Sequence, residues 1–235
     1  MTTYQFPTAV ETARALLEQL IRTIEAEPQR IFHIAFSGGN TPSLMFDLWA
    51  EEFSAFTPWK RMRFYWVDER CVPWEDSDSN FGNMRRLMLS KVPLSTTYIH
   101  PINGAAPPAG EAARYSKLVT AQLPKYKGRP TFDLVLLGAG DDGHTSSIFP
   151  GQEELLSTSE PYVVSVNPYN HQTRIALTGP LILAAERVIF LITGRAKANV
   201  VDNMLHSGDI SPAAYVAHHA RQVELFLGDV LPLHR

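Results

Sequence analysis

Phe132-Asp133-Leu134-Val135-Leu136-Leu137 runs directly into Gly138-Ala139-Gly140-Asp141-Asp142-Gly143-His144-Thr145-Ser146-Ser147-Ile148-Phe149-Pro150-Gly151, and the reading of this stretch decides the fold. Its first six residues are short, apolar and closed by glycine, the pattern of a strand buried within a parallel sheet. Open α/β sheets place ligands outside the carboxyl ends of such strands, where the following loop lies. Gly138, Gly140 and Gly143 let that loop turn tightly and approach a ligand closely. The loop also carries two carboxylates, Asp141 and Asp142, and an imidazole, His144. Imidazole is the side chain best suited to proton transfer near neutral pH. A lone histidine in a polar turn is as well explained by capping a helix or facing water. The strand, glycines and carboxylates around His144 make it a candidate acid–base group.

The same grammar recurs outward from this stretch. Ile31-Phe32-His33-Ile34-Ala35-Phe36 reads as a strand and is followed by Ser37-Gly38-Gly39-Asn40-Thr41-Pro42 and an apolar helix over 43–50. Thr41 is expected as the helix N-cap and Pro42 as its first residue. Free backbone N–H groups and a positive helix end at a Gly-Gly turn suit a phosphate, although many β-to-α turns contain glycine. The turn has neither the Gly-Lys-Ser/Thr ending of a P-loop nor dinucleotide-fingerprint spacing. Strand 62–67 ends in Asp68-Glu69-Arg70. That cluster is either an ion pair closing the strand or a guanidinium held for a bidentate anion contact. Strand 187–192 leads to Thr193-Gly194-Arg195-Ala196-Lys197. There Lys197 opposes the dipole of the helix it begins, and so either reaches water or binds an anion. Four polar elements thus follow strands, and in a parallel sheet their ends can converge on one rim.

The remaining segments supply scaffold. Thr8-Ala9-Val10-Glu11 has capping-box spacing and opens an amphipathic helix ending near Glu27-Pro28. Residues 73–82 form a polar loop, with Ser79 expected to cap a helix whose Met84, Leu87 and Met88 fill the core. Tyr98-Ile99-His100-Pro101 reads as a short strand, and 103–110 as a connection before a helix marked by Ala112, Tyr115, Leu118, Val119 and Leu123. Residues 125–130 are a polar connection, and 152–159 are irregular. Strands are expected at 162–166 and 174–178, and a short helix opens at Pro180. The last helix starts at Ser211-Pro212, and strand 223–227 closes the sheet. The sum is an α/β fold, an open, mainly parallel twisted sheet with helices on both faces, as one domain over residues 1–235.

Composition narrows the function classes. Of 235 residues, 45% are hydrophobic and 19% charged, ordinary for a globular protein, and the formal charge of −3 provides no basic field for nucleic acid. The single cysteine, Cys71, cannot form an internal disulfide, which fits a reducing compartment. Glu11 and Arg14 interrupt what would be a signal-peptide core, and the apolar runs are strand-sized. Adjacent His218 and His219 would point to different helix faces, and Cys71 has no ligand partner at zinc spacing. A cytoplasmic protein without metal, nucleic-acid or membrane partner is expected, its oligomeric state open.

Four blocks carry a resemblance: SGGNTP at 37–42; DERCVP at 68–73 with DSN at 78–80; LGAGDDGHTSSIFPG at 137–151; and TRIALT at 173–178 with FLITGRAKA at 190–198. In order and spacing through nearly the whole chain they resemble the 6-phosphogluconolactonase family, with DGHTSSIFPG the most specific block. The resemblance implies a Rossmann-like fold of the deaminase/lactonase type. It also implies hydrolysis of 6-phosphoglucono-δ-lactone to 6-phosphogluconate, in the oxidative pentose phosphate pathway, with no metal or organic cofactor. It makes His144 the general base, with Asp142 binding substrate hydroxyls or orienting the site. Gly38, Gly39, Arg70 and Lys197 become the phosphate clamp, Ser37, Asn40 and Thr41 further substrate-binding positions, and Arg174 a residue that holds substrate or intermediate. Asn40 stands where serine or arginine is more usual in the family, so the backbone rather than the side chain carries the implied role there. A covalent serine route is disfavoured, because no Gly-x-Ser-x-Gly elbow is present. The sister glucosamine-6-phosphate deaminases carry tyrosine after Asp-Glu, where this chain has Arg70, and continue their DGH block differently from Ser-Ser-Ile-Phe-Pro-Gly. A sugar-phosphate isomerase or deaminase, and a non-catalytic sugar-phosphate sensor, are the competing readings.

Overall fold

The computed structural model describes residues 1–206 and 211–230. Its elements in chain order are β1 (Thr2–Phe6), α1 (Ala9–Ala26), β2 (Phe32–Phe36), α2 (Asn40–Leu48), β3 (Met62–Trp66), β4 (Asp68–Arg70), α3 (Asn80–Met84), α4 (Pro108–Gln122), β5 (Lys125–Tyr126), β6 (Arg129–Pro130), β7 (Leu134–Leu137), β8 (Tyr162–Val166), β9 (Thr173–Leu177), α5 (Gly179–Ala184), β10 (Arg187–Thr193), α6 (Ala198–Leu205), α7 (Pro212–His219) and β11 (Val223–Gly228). Short π-helical turns at Trp49–Phe53 and Arg85–Leu89 continue α2 and α3.

Six strands form one sheet in the order β1-β11-β10-β7-β2-β3, and every pairing in it is parallel. All four residues of β7 and all six of β11 are buried, so both faces of these strands are covered, as an all-parallel sheet requires. Each such aliphatic or aromatic side chain removed from water is worth roughly 1.5–3 kcal/mol. Helices α1 and α2 lie side by side against the β10–β11 side of the sheet. The cap of α1 is as the sequence suggests: Thr8 Oγ1 accepts the Glu11 N–H at 3.2 Å and donates to Glu11 Oε2 at 2.9 Å.

Three expectations are corrected. Strands 162–166 and 174–178 do not join the parallel sheet. They form an antiparallel hairpin, β8–β9, which β4 extends into a separate three-stranded sheet. The connection between them is too short for the crossover that parallel pairing needs. Strand β11 does not close the main sheet, because β1 pairs outside it with Thr2 opposite Glu224 and Phe6 opposite Gly228. The β-branched and aromatic run Thr-Thr-Tyr-Gln-Phe is strand-forming. Finally, α2 is capped by Gly39 rather than Thr41, which leaves Pro42 in the first turn, where its missing N–H has no partner to lose. The 125–130 connection is itself a small hairpin, β5–β6, turning through Lys127 and Gly128 at positive φ.

The strand order fixes where the chain can bind something. From β2 the chain proceeds through α2 to β3 on one side. From β7, hydrogen-bonded to β2 on the other side, it proceeds to β10 in the opposite direction. The carboxyl ends of β2 and β7 therefore flank the topological switch point, where the outgoing loops diverge and leave a crevice.

Candidate active site

At that switch point lies a cleft of about 450 Å³. All four rim elements line it: the Ser37–Gly38–Gly39 turn after β2, Arg70 beyond β3, the Gly138–His144 loop after β7, and Thr193 with Lys197 after β10. Asn40, Thr41 and Arg174 line it too, as do Asp68, from the cluster that ends β3, and Asn80 and Ser146, which sequence reasoning did not single out.

The His144 loop is closed by its own backbone. Gly140 N–H donates to the His144 carbonyl at 2.8 Å, Gly143 N–H to the Gly140 carbonyl at 2.9 Å, and Thr145 Oγ1 to the Gly138 carbonyl at 2.8 Å. Two positions require glycine. Gly143 has φ +83°, and a Cβ on Gly140 would stand 2.1 Å from His144 Nδ1 and 2.5 Å from Asp142 Oδ1. Ser146 holds φ +56°, a conformation rare outside glycine, and its Oγ donates to the Leu177 carbonyl at 3.0 Å. Ser147 Oγ donates to Asp68 Oδ2 at 2.7 Å, tying the loop to the three-stranded sheet.

Within this frame Asp142 Oδ1 meets His144 Nδ1 at 2.6 Å and also accepts the His144 backbone N–H at 3.1 Å. Its other oxygen accepts the Tyr169 hydroxyl at 2.8 Å. Burial works against the Asp142 carboxylate. The Tyr169 hydrogen bond and the neighbouring His144 outweigh it and hold the group below its ordinary value. An ionised Asp142 fixes the imidazole as the Nδ1–H tautomer, which leaves Nε2 as the basic nitrogen. The His144 ring leans on the buried Phe149 ring, with centroids 4.7 Å apart. Asp141 is different: it is 74% exposed and pairs with Lys197 Nζ at 2.7 Å. The two adjacent aspartates thus separate, one onto the imidazole and one onto the lysine.

Opposite the loop, α2 points its first turn into the cleft. Gly39 has φ +105°, and the N–H groups of the turn that follows have no acceptor within the helix. Gly38 is pressed against Asn80, whose Oδ1 would lie 1.9 Å from an added Cβ. Asn80 is buried, with its Nδ2 donating to the Asp68 carbonyl at 2.9 Å. Thr41 Oγ1 meets Thr193 Oγ1 at 2.8 Å across the two strand ends.

Three cations complete the lining. Arg70 and Arg174 are paired neighbours in the β4–β9 ladder. Arg70 Nη1 donates to the Asp78 carbonyl at 2.6 Å, while Arg174 reaches Asp68 Oδ2 at 3.6 Å and Gln172 Oε1 at 3.3 Å. Burial lowers the Arg174 pKa, Asp68 opposes that, and Arg70 adds to it. The Nε–H groups of both arginines are buried without a partner among the described residues. Lys197 donates to the Ala139 carbonyl at 2.9 Å from the N-cap position of α6. The neighbouring Glu69 is fully buried and accepts the Arg70, Asn80 and Phe81 backbone N–H groups and the Ser79 hydroxyl. Its role is to hold the 79–81 turn against β4.

Comparison with known proteins agrees with this architecture. The family model described as glucosamine-6-phosphate isomerases/6-phosphogluconolactonase matches residues 7–226. The chain belongs to this family. A 6-phosphogluconolactonase of Treponema pallidum is 39% identical over 227 residues, covering 96% of this chain and 92% of the relative. That of Haemophilus influenzae is 31% identical over 220 residues, covering 93% and 90%. Among solved structures, the 6-phosphogluconolactonase of Trypanosoma brucei superposes with a TM-score of 0.85 at 29% identity, covering 97% of this chain and 95% of that one. A monomeric glucosamine-6-phosphate deaminase shares the fold with a TM-score of 0.79 at 20% identity. Among the described residues no group of three or more His, Cys, Asp or Glu side chains is arranged to hold a metal ion, and no helix is long and apolar enough to cross a membrane.

Proposed function

We propose that this protein hydrolyses 6-phosphoglucono-δ-lactone to 6-phosphogluconate, with His144 as the general base. The observation that carries the reading is His144, held from behind by Asp142, sharing one cleft with a glycine-capped helix end and three cations. His144 Nε2 removes a proton from water as the oxygen attacks the lactone carbonyl carbon, giving a tetrahedral oxyanion. The imidazolium then protonates the ring oxygen as the carbon–oxygen bond breaks. The resulting carboxylic acid ionises, releasing one proton per turnover. Asp142 holds Nδ1 and stabilises the transient imidazolium.

The phosphate is held by Gly38, Gly39 and the Asn40–Thr41 backbone at the start of α2, beside Ser37, with Arg70 and Lys197 neutralising its charge. Arg174 holds the substrate or the oxyanion. Buried guanidinium N–H groups without a partner among the described residues favour an anionic ligand over a neutral one. An activated lactone needs little more than positioning and a base, which matches the few acid–base groups present. The substrate partner is a sugar-phosphate lactone, the compartment cytoplasmic, and residues 1–235 act as one domain.

The test is acid release from freshly generated 6-phosphogluconolactone at neutral pH, run beside unphosphorylated gluconolactone, an enzyme-free blank and His144→Ala. Rapid, phosphate-selective opening that His144→Ala abolishes is expected. A His144→Ala rate equal to wild type refutes the base assignment. A wild-type rate no faster than the blank, with phosphogluconate still bound, refutes the lactonase reading.

A further inference from the structure

Tyr169 lies on the loop joining β8 to β9, and its ring is 67% exposed. The loop is built to hold it. Asn167 N–H donates to the Gln172 carbonyl at 3.0 Å and His171 N–H to the Asn167 carbonyl at 2.9 Å. The side chains of Asn167 and Asn170 accept the Tyr169 and Gln172 N–H groups at 2.8 and 3.0 Å. Gln172 fastens the loop to the 73–79 loop and to Arg174, donating to Asp78 Oδ2 at 2.9 Å and accepting from Arg174. From this frame the Tyr169 ring stands edge-on to Phe149, the same ring that supports His144, with centroids 6.5 Å apart.

We propose that Tyr169 is a positioning residue for the acid–base pair: its hydroxyl, donating to Asp142 Oδ2, locks the carboxylate so that Oδ1 stays on His144 Nδ1 and Nε2 stays unprotonated. The proposal rests on the reading of His144 as the general base. A carboxylate turns readily about its last side-chain torsion. Oδ1 is already bound by both His144 groups, so Tyr169 supplies the anchor on the other oxygen. The same hydrogen bond raises the Tyr169 pKa, so the hydroxyl remains a donor at neutral pH and stays out of the proton path. Burial of the Phe149 ring beneath both partners makes the geometry rigid from below.

Tyr169→Phe keeps the ring and deletes the donor. Expected is a loss of about 3- to 30-fold in kcat with KM within about twofold, because the interaction removed is to a charged group that acts on the chemical step. In the resting protein, ¹⁵N spectra of the His144 ring show one tautomer in wild type and a mixture in Tyr169→Phe. A kcat within about 1.5-fold of wild type, or a kcat loss with the tautomer unchanged, overturns the proposal. His144→Ala is run alongside. If it retains wild-type turnover, the base reading has failed whatever Tyr169→Phe does. If it is inactive and Tyr169→Phe is normal, only the Tyr169 proposal has failed.

Discussion

Gly140→Ala is the substitution that most sharply separates catalysis from folding here. Gly140 is not among the glycines with positive φ, so alanine fits its backbone. The obstacle is purely local: the new methyl would stand 2.1 Å from His144 Nδ1, 2.3 Å from its Cε1 and 2.5 Å from Asp142 Oδ1. Non-bonded heavy atoms settle near 3.5–4.0 Å, so the imidazole and carboxylate must retreat by about 1 Å or more. Moving outward, they give up the Phe149 contact and the 2.6 Å Nδ1–Oδ1 hydrogen bond that define the catalytic geometry. A misplacement of about 1 Å in a reacting group costs on the order of 100-fold, or about 2.7 kcal/mol of transition-state stabilisation.

Stability should barely respond. The methyl lies in the loop rather than the sheet, and replacing glycine by alanine removes roughly 0.4–1 kcal/mol of unfolded-state entropy. The assay is kcat/KM for 6-phosphogluconolactone by initial-rate acid release, with thermal unfolding and phosphogluconate titration on the same samples. Expected is a loss of about 100-fold in kcat, a Tm within about 4 °C of wild type, and ligand affinity within about threefold. Gly110→Ala, whose added methyl meets nothing within 4 Å, is the control and should keep full activity. If Gly140→Ala turned over within about threefold of wild type, the His144–Asp142 geometry would not be what limits the reaction.

Three further outcomes test the surroundings. Gly38→Ala drives a methyl into the buried Asn80 amide, and should weaken phosphogluconate binding at least about tenfold by calorimetry while lowering the Tm. Glu69→Ala strands three backbone N–H groups and should lower urea-derived stability by about 3 kcal/mol. His33 and His100, which flank Tyr65, are pushed by burial to about 4, so the unfolded chain binds protons that the folded chain refuses between pH 6.5 and 4. Their stabilising effect is therefore complete above pH 6.5 and lost as pH falls toward 4. Glu69, lifted by burial to about 7, works in the opposite sense, so the quantity to measure is the difference between wild type and His33→Gln/His100→Gln. Between pH 7 and 5 that difference should change by about 2 kcal/mol after discounting for partial exposure, and a flat difference would refute the assignment.

What could be read from residues alone, and what could not, follows from how far each constraint reaches along the chain. The His144 loop was legible because strand, glycines and acid–base groups are contiguous at 132–144, and parallel strands deliver their ends to one rim. Arg70 and Lys197 each left two readings open, and only placement settles that both line the same cleft. Thr41 reads as a cap because the true cap, Gly39, two residues earlier, has no side chain to signal it. Tyr169 was invisible for a stronger reason. The segment Asn167-Pro168-Tyr169-Asn170-His171-Gln172 reads as a solvated turn, and nothing in it says that one hydroxyl reaches back across 27 residues to a carboxylate. Only the short connection between two runs already read as strands could have signalled that they form a hairpin rather than a crossover. With that hairpin placed, β9 brings Arg174 beside Arg70 and the turn brings Tyr169 over Asp142. The antiparallel sheet, misread along with the outer strand β1, therefore brings Tyr169 to Asp142 and adds a third cation, Arg174, to Arg70 and Lys197. An insertion of two residues between Asn167 and Gln172 should disturb His144 chemistry more than its distance in sequence would suggest.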